Sequence, residues 1–251
     1  MLIGVSGPAG SGKDAVADFL RADLRFTSIS LADPLKRICR DVYDFTEEQL
    51  WGPSAMRNKP DERYPRPNHT WGLPQRIEPQ GYIASCACCG LTSEPMERFD
   101  DILTAKLRQC YLTPRYCLQK LGTEWGRDCY PDTWSLFCVR TAQVLLKDQT
   151  LQYDRKRGLY ARVDSAVIEG VAVPDVRFRN ELRVIREAGG KVIRVKRPGA
   201  GLQGTQGLHA SEAEQLQIQD DEFDGVINNV GTLEELRAMA YALATQLGAT
   251  P

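Results

Sequence analysis

The first residues whose types and spacing can do chemistry lie near the start of the chain. Gly7-Pro8-Ala9-Gly10-Ser11-Gly12-Lys13-Asp14 follows a short apolar run and opens an amphipathic helix. Glycines at Gly7, Gly10 and Gly12 let the backbone curl until successive N–H groups point inward at phosphate oxygens. The N-terminus of the helix adds a favourable dipole, and Lys13 supplies a mobile positive charge to the β- and γ-phosphates. Ser11 and Gly12 belong to the same cradle. Asp14 departs from the usual pattern, because Ser or Thr at that place offers a hydroxyl to Mg²⁺. A carboxylate holds such an ion directly or through water, at the cost of extra negative charge beside the phosphates. Asp175 is the second acidic candidate, at the end of an apolar strand, where doubly wound sheets place their ligands. Asp175-x-Arg177 sets a carboxylate for Mg²⁺ next to a guanidinium for phosphate; the competing reading is that Asp175 caps the helix beginning near Arg177.

Phosphoryl transfer needs positive charge around the moving group more than covalent chemistry. Arg115, Arg127, Arg177, Arg179, Arg194 and Arg197 fall near expected loop or element ends, with a solvated surface as the usual alternative for any one of them. Tyr116, Trp125, Tyr130 and Trp134 run beside them, so a base could stack on one of them while Gln119 reads its edge, with core packing as the alternative for most. His69 and His209 are the only histidines and stand far apart, which supports neither a catalytic triad nor a histidine metal site. Cys86-x-x-Cys89, with Cys88 between, has the spacing of half a zinc site, but Cys110 and Cys117 make a poor second half, and ordinary thiols are the favoured reading. Cys39, Cys129 and Cys138 read as small core hydrophobes.

The elements that must position these residues follow an α/β pattern around a mainly parallel sheet, without internal repeats. Leu2 to Val5 reads as a buried strand, and Val16, Phe19, Leu20 and Leu24 recur at helical spacing. A strand over Thr27 to Leu31 and a helix over Pro34 to Tyr43 follow. Six prolines between residues 52 and 80 break periodicity, giving a long irregular excursion that is either a substrate-covering segment or a surface insertion. Helices are expected over Arg98 to Gln109, Pro114 to Leu121 and Pro131 to Leu146. Strands are expected over Ala166 to Val173, Lys191 to Val195 and Gly225 to Ile227. Phe178, Leu182 and Ile185 mark a helix that Gly189-Gly190 ends. Thr232-x-x-Glu235 is a capping box, with Leu233, Leu236, Ala240, Leu243 and Leu247 as one apolar stripe. The reading gives one domain, with a core of about 1–45 and 160–251 and a substrate-binding or lid insertion of about 46–159.

The chain has 251 residues, enough for a large core, with 42% hydrophobic and 26% charged residues, which excludes wholesale disorder. No apolar run reaches the ~20 residues needed to span a bilayer. Thirty-two basic against 33 acidic residues leave a net charge of −1, which disfavours nucleic-acid partners. The N-terminus lacks a basic leader and a long apolar segment, so a cytoplasmic location with reduced thiols is expected.

With these motifs in view, the sequence resembles the deoxynucleoside monophosphate kinases of tailed bacteriophages, a branch of the P-loop nucleoside monophosphate kinase superfamily. The carriers are the loop ending in Lys13-Asp14, Leu31-Ala32-Asp33-Pro34-Leu35-Lys36, Arg115-x-x-x-Gln119-x-x-Gly122-Thr123-Glu124, Val173-Pro174-Asp175-x-Arg177, Arg197-Pro198-Gly199 and Ile227-Asn228-Asn229-x-Gly231-Thr232-Leu233-Glu234-Glu235-Leu236. The Lys-Asp ending also occurs in that family. The resemblance implies a P-loop kinase fold, ATP and Mg²⁺ as cosubstrates, and a deoxynucleoside monophosphate as phosphate acceptor, with the host cytoplasm as location if the gene is a phage's. By position it gives Gly10 to Asp14 to the donor phosphates and Lys36, Arg115 and Gln119 to the acceptor. Arg177 would bridge the two phosphates, Arg127 would be a lid arginine and Asn229 would approach the donor adenine. Residues 52–100 match least. Dimerisation is common for such enzymes, but no self-complementary patch is legible. Phosphomevalonate kinase, whose loop also ends in Lys-Asp, and a non-catalytic nucleotide-binding switch are the alternatives.

Overall fold

The computed structural model describes residues 1–66, 75–77, 79, 81–85, 96–98, 110–164, 167–201, 214–215 and 217–250. They form two compact units, Met1–Pro34 with Gly126–Pro251, and Leu35–Trp125.

The first unit is built on a five-stranded sheet. Its strands are β1 (Leu2–Ser6), β2 (Phe26–Ser28), β9 (Gly170–Val176), β10 (Lys191–Lys196) and β11 (Gly225–Asn228). They lie in the order β11-β10-β1-β9-β2, and every pairing is parallel. Parallel strands need crossovers, and helices provide them: α1 (Lys13–Leu24) leads from β1 to β2, and α7 (Arg179–Glu187) from β9 to β10. A mixed α/β unit of this kind is consistent with the fold of P-loop kinases. β1 sits in the middle with neighbours reached by opposite routes, so its C-terminal end lies at a topological switch point, where such sheets leave a crevice.

Burial explains the apolar runs. All five residues of β1 are buried, as are Val171, Ala172, Val173, Val192, Ile193 and Val195. Each fully buried Val or Ile contributes about 1.5–3 kcal/mol. α1 packs Val16, Ala17, Leu20 and Leu24 into the same core, joined by Leu236, Ala240 and Ala244 of α8 (Leu233–Gln246). The capping box of α8 is formed as expected: Thr232 accepts from the Glu235 N–H, and Glu235 accepts from the Thr232 N–H at 2.7 Å. Leu233 departs from the expected stripe, for it is 64% exposed. It occupies the first turn, where the helix has not yet reached the sheet's cover, and Ala244 takes its share of the buried face.

Other boundaries shift for identifiable reasons. β2 stops at Ser28 because Asp33 accepts the Ser30 N–H at 2.8 Å, turning the chain into α2 (Asp33–Tyr43). The strand expected over 166–173 runs instead from Gly170 to Val176 and carries Pro174 and Asp175 to the end of β1, beside which β9 lies. A two-stranded hairpin, β7 (Leu151–Asp154) with β8 (Leu159–Arg162), was not legible from periodicity. Its turn delivers Arg155, which donates from Nε and a terminal nitrogen to the buried carboxylate of Asp33 at 2.8 and 3.1 Å. Cys129 is exposed rather than core, at the last helical residue before the turn into α6 (Thr133–Lys147), whereas Cys138 on that helix is buried.

The second unit is less regular. It holds most of α2, then α3 (Glu47–Trp51), α4 (Ser54–Asn58), β3 (Asp61–Arg66), β4 (Gln75–Ile77), β5 (Gly81–Ile83), β6 (Cys110–Leu112) and α5 (Pro114–Gln119), which continues into a π-helical stretch over Lys120–Arg127. The proline-rich excursion is therefore partly structured. β3 pairs antiparallel with β6, with a register shift between Asp61 and Pro65 that accommodates the missing proline donor. Cys39, Phe45, Leu50 and Cys117 form its core. Of the other sequence-based readings, Cys86 to Cys89, His69, His209 and the helix over 99–109 lie outside the described residues.

Candidate functional site

The site is assembled where β1 ends. The chain leaves the sheet at Gly7, where a Cβ would stand 2.5 Å from the Val195 carbonyl oxygen and from Ser11 Oγ, so no other residue fits. The loop returns as α1 at Gly12, whose φ of 100° is left-handed and therefore suited to glycine. A Cβ there would also meet Asn229 Nδ2 at 2.6 Å. Among the described residues no side chain caps α1, so its first N–H groups are left without a side-chain acceptor there. Ser11 Oγ is buried and has no hydrogen-bond partner among the described residues.

Lys13 is the first residue of α1 and is 5% exposed. Its Nζ lies 3.5 Å from Asp175 Oδ1 and 3.7 Å from Asp14 Oδ2. Asp14 is largely exposed and Asp175 half-buried, so an open and a partly shielded carboxylate flank one ammonium. Asp175 sits at a bulge: Val5 pairs with Pro174 and Ser6 with Val176, leaving Asp175 out of register with φ 73°. A left-handed aspartate costs conformational energy and persists where its surroundings hold it. They do so here: Arg177 donates to Asp175 Oδ1 from Nε at 2.9 Å and from a terminal nitrogen at 2.8 Å. Desolvation pushes the Asp175 carboxyl up, but the charges and hydrogen bonds of Arg177 and Lys13 outweigh it and leave the group below its ordinary value. The capping reading of Asp175 fails. Glu181 accepts the N–H groups that open α7, from Arg177 at 2.7 Å and Phe178 at 3.1 Å.

Asn229 lies at the same end of the sheet, 7% exposed, and donates from Nδ2 to the Ser11 carbonyl oxygen at 2.8 Å. Its amide braces the glycine loop. The turn after β10 adds a second brace, as the Gly201 N–H donates to the Ala9 carbonyl at 2.9 Å. Arg127 belongs to this unit as well; it pairs with Glu181 at 2.6 Å and lies over the Phe178 ring at 3.8 Å. Two further arginines of this unit are engaged by other partners. Arg194 is buried against the Ile218 and Gln215 carbonyls and Asp220, and Arg179 pairs with Glu222. Trp134 is a core residue packed against Gly126, whereas Tyr130 is 53% exposed.

The acceptor-side candidates belong to the second unit. Arg115, on the first turn of α5, donates from Nε to Asn58 Oδ1 at 2.6 Å and from a terminal nitrogen to Ser54 Oγ at 2.7 Å. Thr113 caps α5 and Pro114 fills its first position, which fixes where Arg115 emerges. Lys36 Nζ lies 5.6 Å from the centroid of Trp51, whose buried Nε1 has no hydrogen-bond partner among the described residues. Gln119 is exposed. An open cleft of about 330 Å³ is lined by Tyr43, Tyr116, Cys117, Lys120, Glu124 and Trp125 among others, so two of the four grouped aromatics reach one cavity.

Sequence reasoning missed Glu181 and Arg155. Glu181 was hidden because a glutamate four residues after Arg177 looks like any helix-face carboxylate; its place three residues after Phe178, where a capping glutamate falls, was the available signal. Nothing in the sequence pairs Arg155 with Asp33. Among the described residues, no group of three or more His, Cys, Asp or Glu side chains is placed to cage a metal, and no helix is long and apolar enough to cross a membrane.

No family model matches the chain. It is 29% identical over 235 residues, 94% of its own length and 91% of the relative's, to a protein of Acanthamoeba polyphaga mimivirus named "Putative deoxynucleotide monophosphate kinase". A likeness running through nearly the whole of both chains supports a kinase family.

Proposed function

We propose that this protein is an ATP-dependent deoxynucleoside monophosphate kinase that transfers the γ-phosphate to a deoxynucleoside monophosphate, giving the diphosphate and ADP. A nucleotide kinase is what the mimivirus relative supports; the donor, the acceptor class and the residue roles are our reading. The observation that carries it is the glycine loop at the end of β1. Its helix N-terminus has no side-chain cap, and its buried Lys13 is faced by an ionised Asp175 that Arg177 also grips. A structural turn has no need of a buried ammonium, since an unpaired one is costly and an apolar residue would pack as well.

In this reading the loop N–H groups and Lys13 bind the β- and γ-phosphates, and Arg177 neutralises charge on the group in transit. Asp14 and Asp175, whose carboxylates both approach Lys13 Nζ, would hold Mg²⁺ as hard oxygen ligands. The ion when bound neutralises phosphate charge. The acceptor is a phosphate oxygen already ionised at neutral pH, so no general base is required, and in-line placement with exclusion of water is the main demand on the protein. Lys36, Arg115 and Gln119 are the proposed acceptor residues. Arg115 suits a bidentate grip, because Asn58 and Ser54 fix its guanidinium in one plane.

The test is a coupled ADP-release assay with Mg-ATP and a panel of deoxynucleoside monophosphates, ribonucleoside monophosphates and phosphomevalonate. Turnover with at least one deoxynucleotide is expected. Turnover with phosphomevalonate alone, or ATP binding without acceptor-dependent turnover, would overturn the reading.

A further inference from the structure

Glu181 is a buried carboxylate that joins Arg177, assigned to phosphate above, to Arg127, the lid-arginine candidate. It is 1% exposed. One oxygen accepts from Arg127 at 2.6 Å, and the other accepts the backbone N–H of Arg177 at 2.7 Å and of Phe178 at 3.1 Å. The Arg127 guanidinium is clamped from a second side, lying 3.8 Å from the centroid of Phe178. The residue whose backbone Glu181 holds is the one whose side chain grips Asp175, and Asp175 in turn meets Lys13. A continuous polar chain therefore runs from Lys13 through Asp175 and Arg177 to Glu181 and Arg127.

The neighbouring contacts serve the same docking. Asn180 donates to the Pro131 carbonyl and to Asp132, both at 2.9 Å, and Arg183 pairs with Asp132. Successive residues of the first turns of α7 thus fix the 127–132 segment. Closing a helix start needs an acceptor for its N–H groups, which an exposed Ser or Asp supplies without burying charge. A fully buried charge is retained at a stability cost that an apolar side chain of similar volume would avoid. Burial raises the Glu181 carboxyl above its ordinary value in spite of Arg127, which reflects that cost.

We propose that Glu181 is a positioning residue for phosphoryl transfer, holding the Arg177 backbone and the Arg127 guanidinium at a fixed separation on either side of the transferring group. The inference rests on the kinase reading above. Its effect lies in the transition state, so it governs kcat and leaves ground-state ATP binding nearly unchanged. Glu181→Gln keeps the shape and one oxygen for the backbone N–H groups, but turns an amide donor toward Arg127. Misplacement of a charged group by about 1 Å costs on the order of 100-fold.

The experiment compares the wild type with Glu181→Gln, Glu181→Asp and Glu181→Met, each with steady-state kinetics and thermal unfolding. The expected result for Gln and Met is a kcat loss of about 10- to 100-fold with KM for ATP within about threefold. Asp should recover part of the loss, and Glu181→Gln should add little in an Arg127→Ala background, since the pair acts as one unit. Folded variants with wild-type kcat would overturn the proposal, as would full additivity with Arg127→Ala. Loss of the fold in both Gln and Met would assign Glu181 to stability alone and overturn it too. A wild type that turns over no acceptor would sink the kinase reading itself, whereas an active wild type with unaffected variants sinks this inference alone.

Discussion

The glycine loop at the end of β1 and the α4–α5 region of the second unit both present cations proposed to meet phosphate, yet they hold them in different ways. Lys13 is buried and fixed by backbone: a left-handed Gly12, a strand on one side and a helix start on the other. Arg115 is held by side chains, Asn58 and Ser54, that stand on a five-residue helix. Backbone-built sites depend on glycines and register, so few substitutions are tolerated. Sites built from side chains on short elements can be retuned one residue at a time. The donor phosphates of any nucleotide are alike whereas acceptors differ, and in the proposed reading the rigid cradle falls on the donor and the adjustable one on the acceptor.

The largest way to break this contrast is Lys13→Ala. It should lower kcat by about 1,000-fold while far-UV circular dichroism stays unchanged, in line with removal of a principal transition-state contact; turnover near wild type would remove the loop from the chemistry. Arg115→Ala should raise KM for the acceptor by about tenfold, the loss of one bidentate phosphate contact, with KM for ATP held. Equal increases in both would move Arg115 to the donor side.

Gly12→Ala tests the backbone half. Its Cβ would meet Asn229 Nδ2 at 2.6 Å in a left-handed conformation, so a stability loss of about 1–3 kcal/mol is expected together with weaker ATP binding. Urea unfolding and nucleotide titration read the two effects; tolerance of both would mean the loop is not the rigid partner in the comparison. The second unit has its own acid-sensitive anchor. Arg63, Gln49 and the Arg63 N–H hold the Asp61 carboxyl at about 2 against its own desolvation. A depressed carboxyl contributes stability above its ordinary value of 3.8 and loses it as pH falls through about 2, so Asp61→Asn should flatten the stability profile between those values. The smallest effect belongs to Thr232→Ala, which should cost about 1 kcal/mol through the lost cap and leave kinetics untouched.

Legibility followed the kind of interaction. β1, the glycine loop and α1 were readable because a buried strand, a left-handed loop and an amphipathic helix each leave a local pattern within a few residues. The α8 capping box was readable for the same reason, although Leu233 showed that a stripe does not say where the sheet's cover begins. The β7–β8 hairpin was not, since its β8 residues are all exposed and carry no alternation. Arg194, one of the arginines grouped near element ends, is a buried brace for the Ile218 carbonyl, a fate set by a segment over 20 residues away.

The sequence by itself determined the chain order of the five sheet strands and of the helices α1, α7 and α8, the glycine loop after β1 and the candidates Lys13, Asp14, Asp175 and Arg177, because backbone curl and helix periodicity are local consequences of residue type. Only the tertiary structure decided that Asp175 leaves the strand register to meet Lys13, that Asn229 braces Ser11, and that Glu181 rather than Asp175 closes the start of α7. Those choices rest on which parallel strands become neighbours and on which buried polar atoms then find partners. Partners 162 and 218 residues apart are fixed by packing and by the cost of leaving a donor unpaired, neither of which a local pattern records.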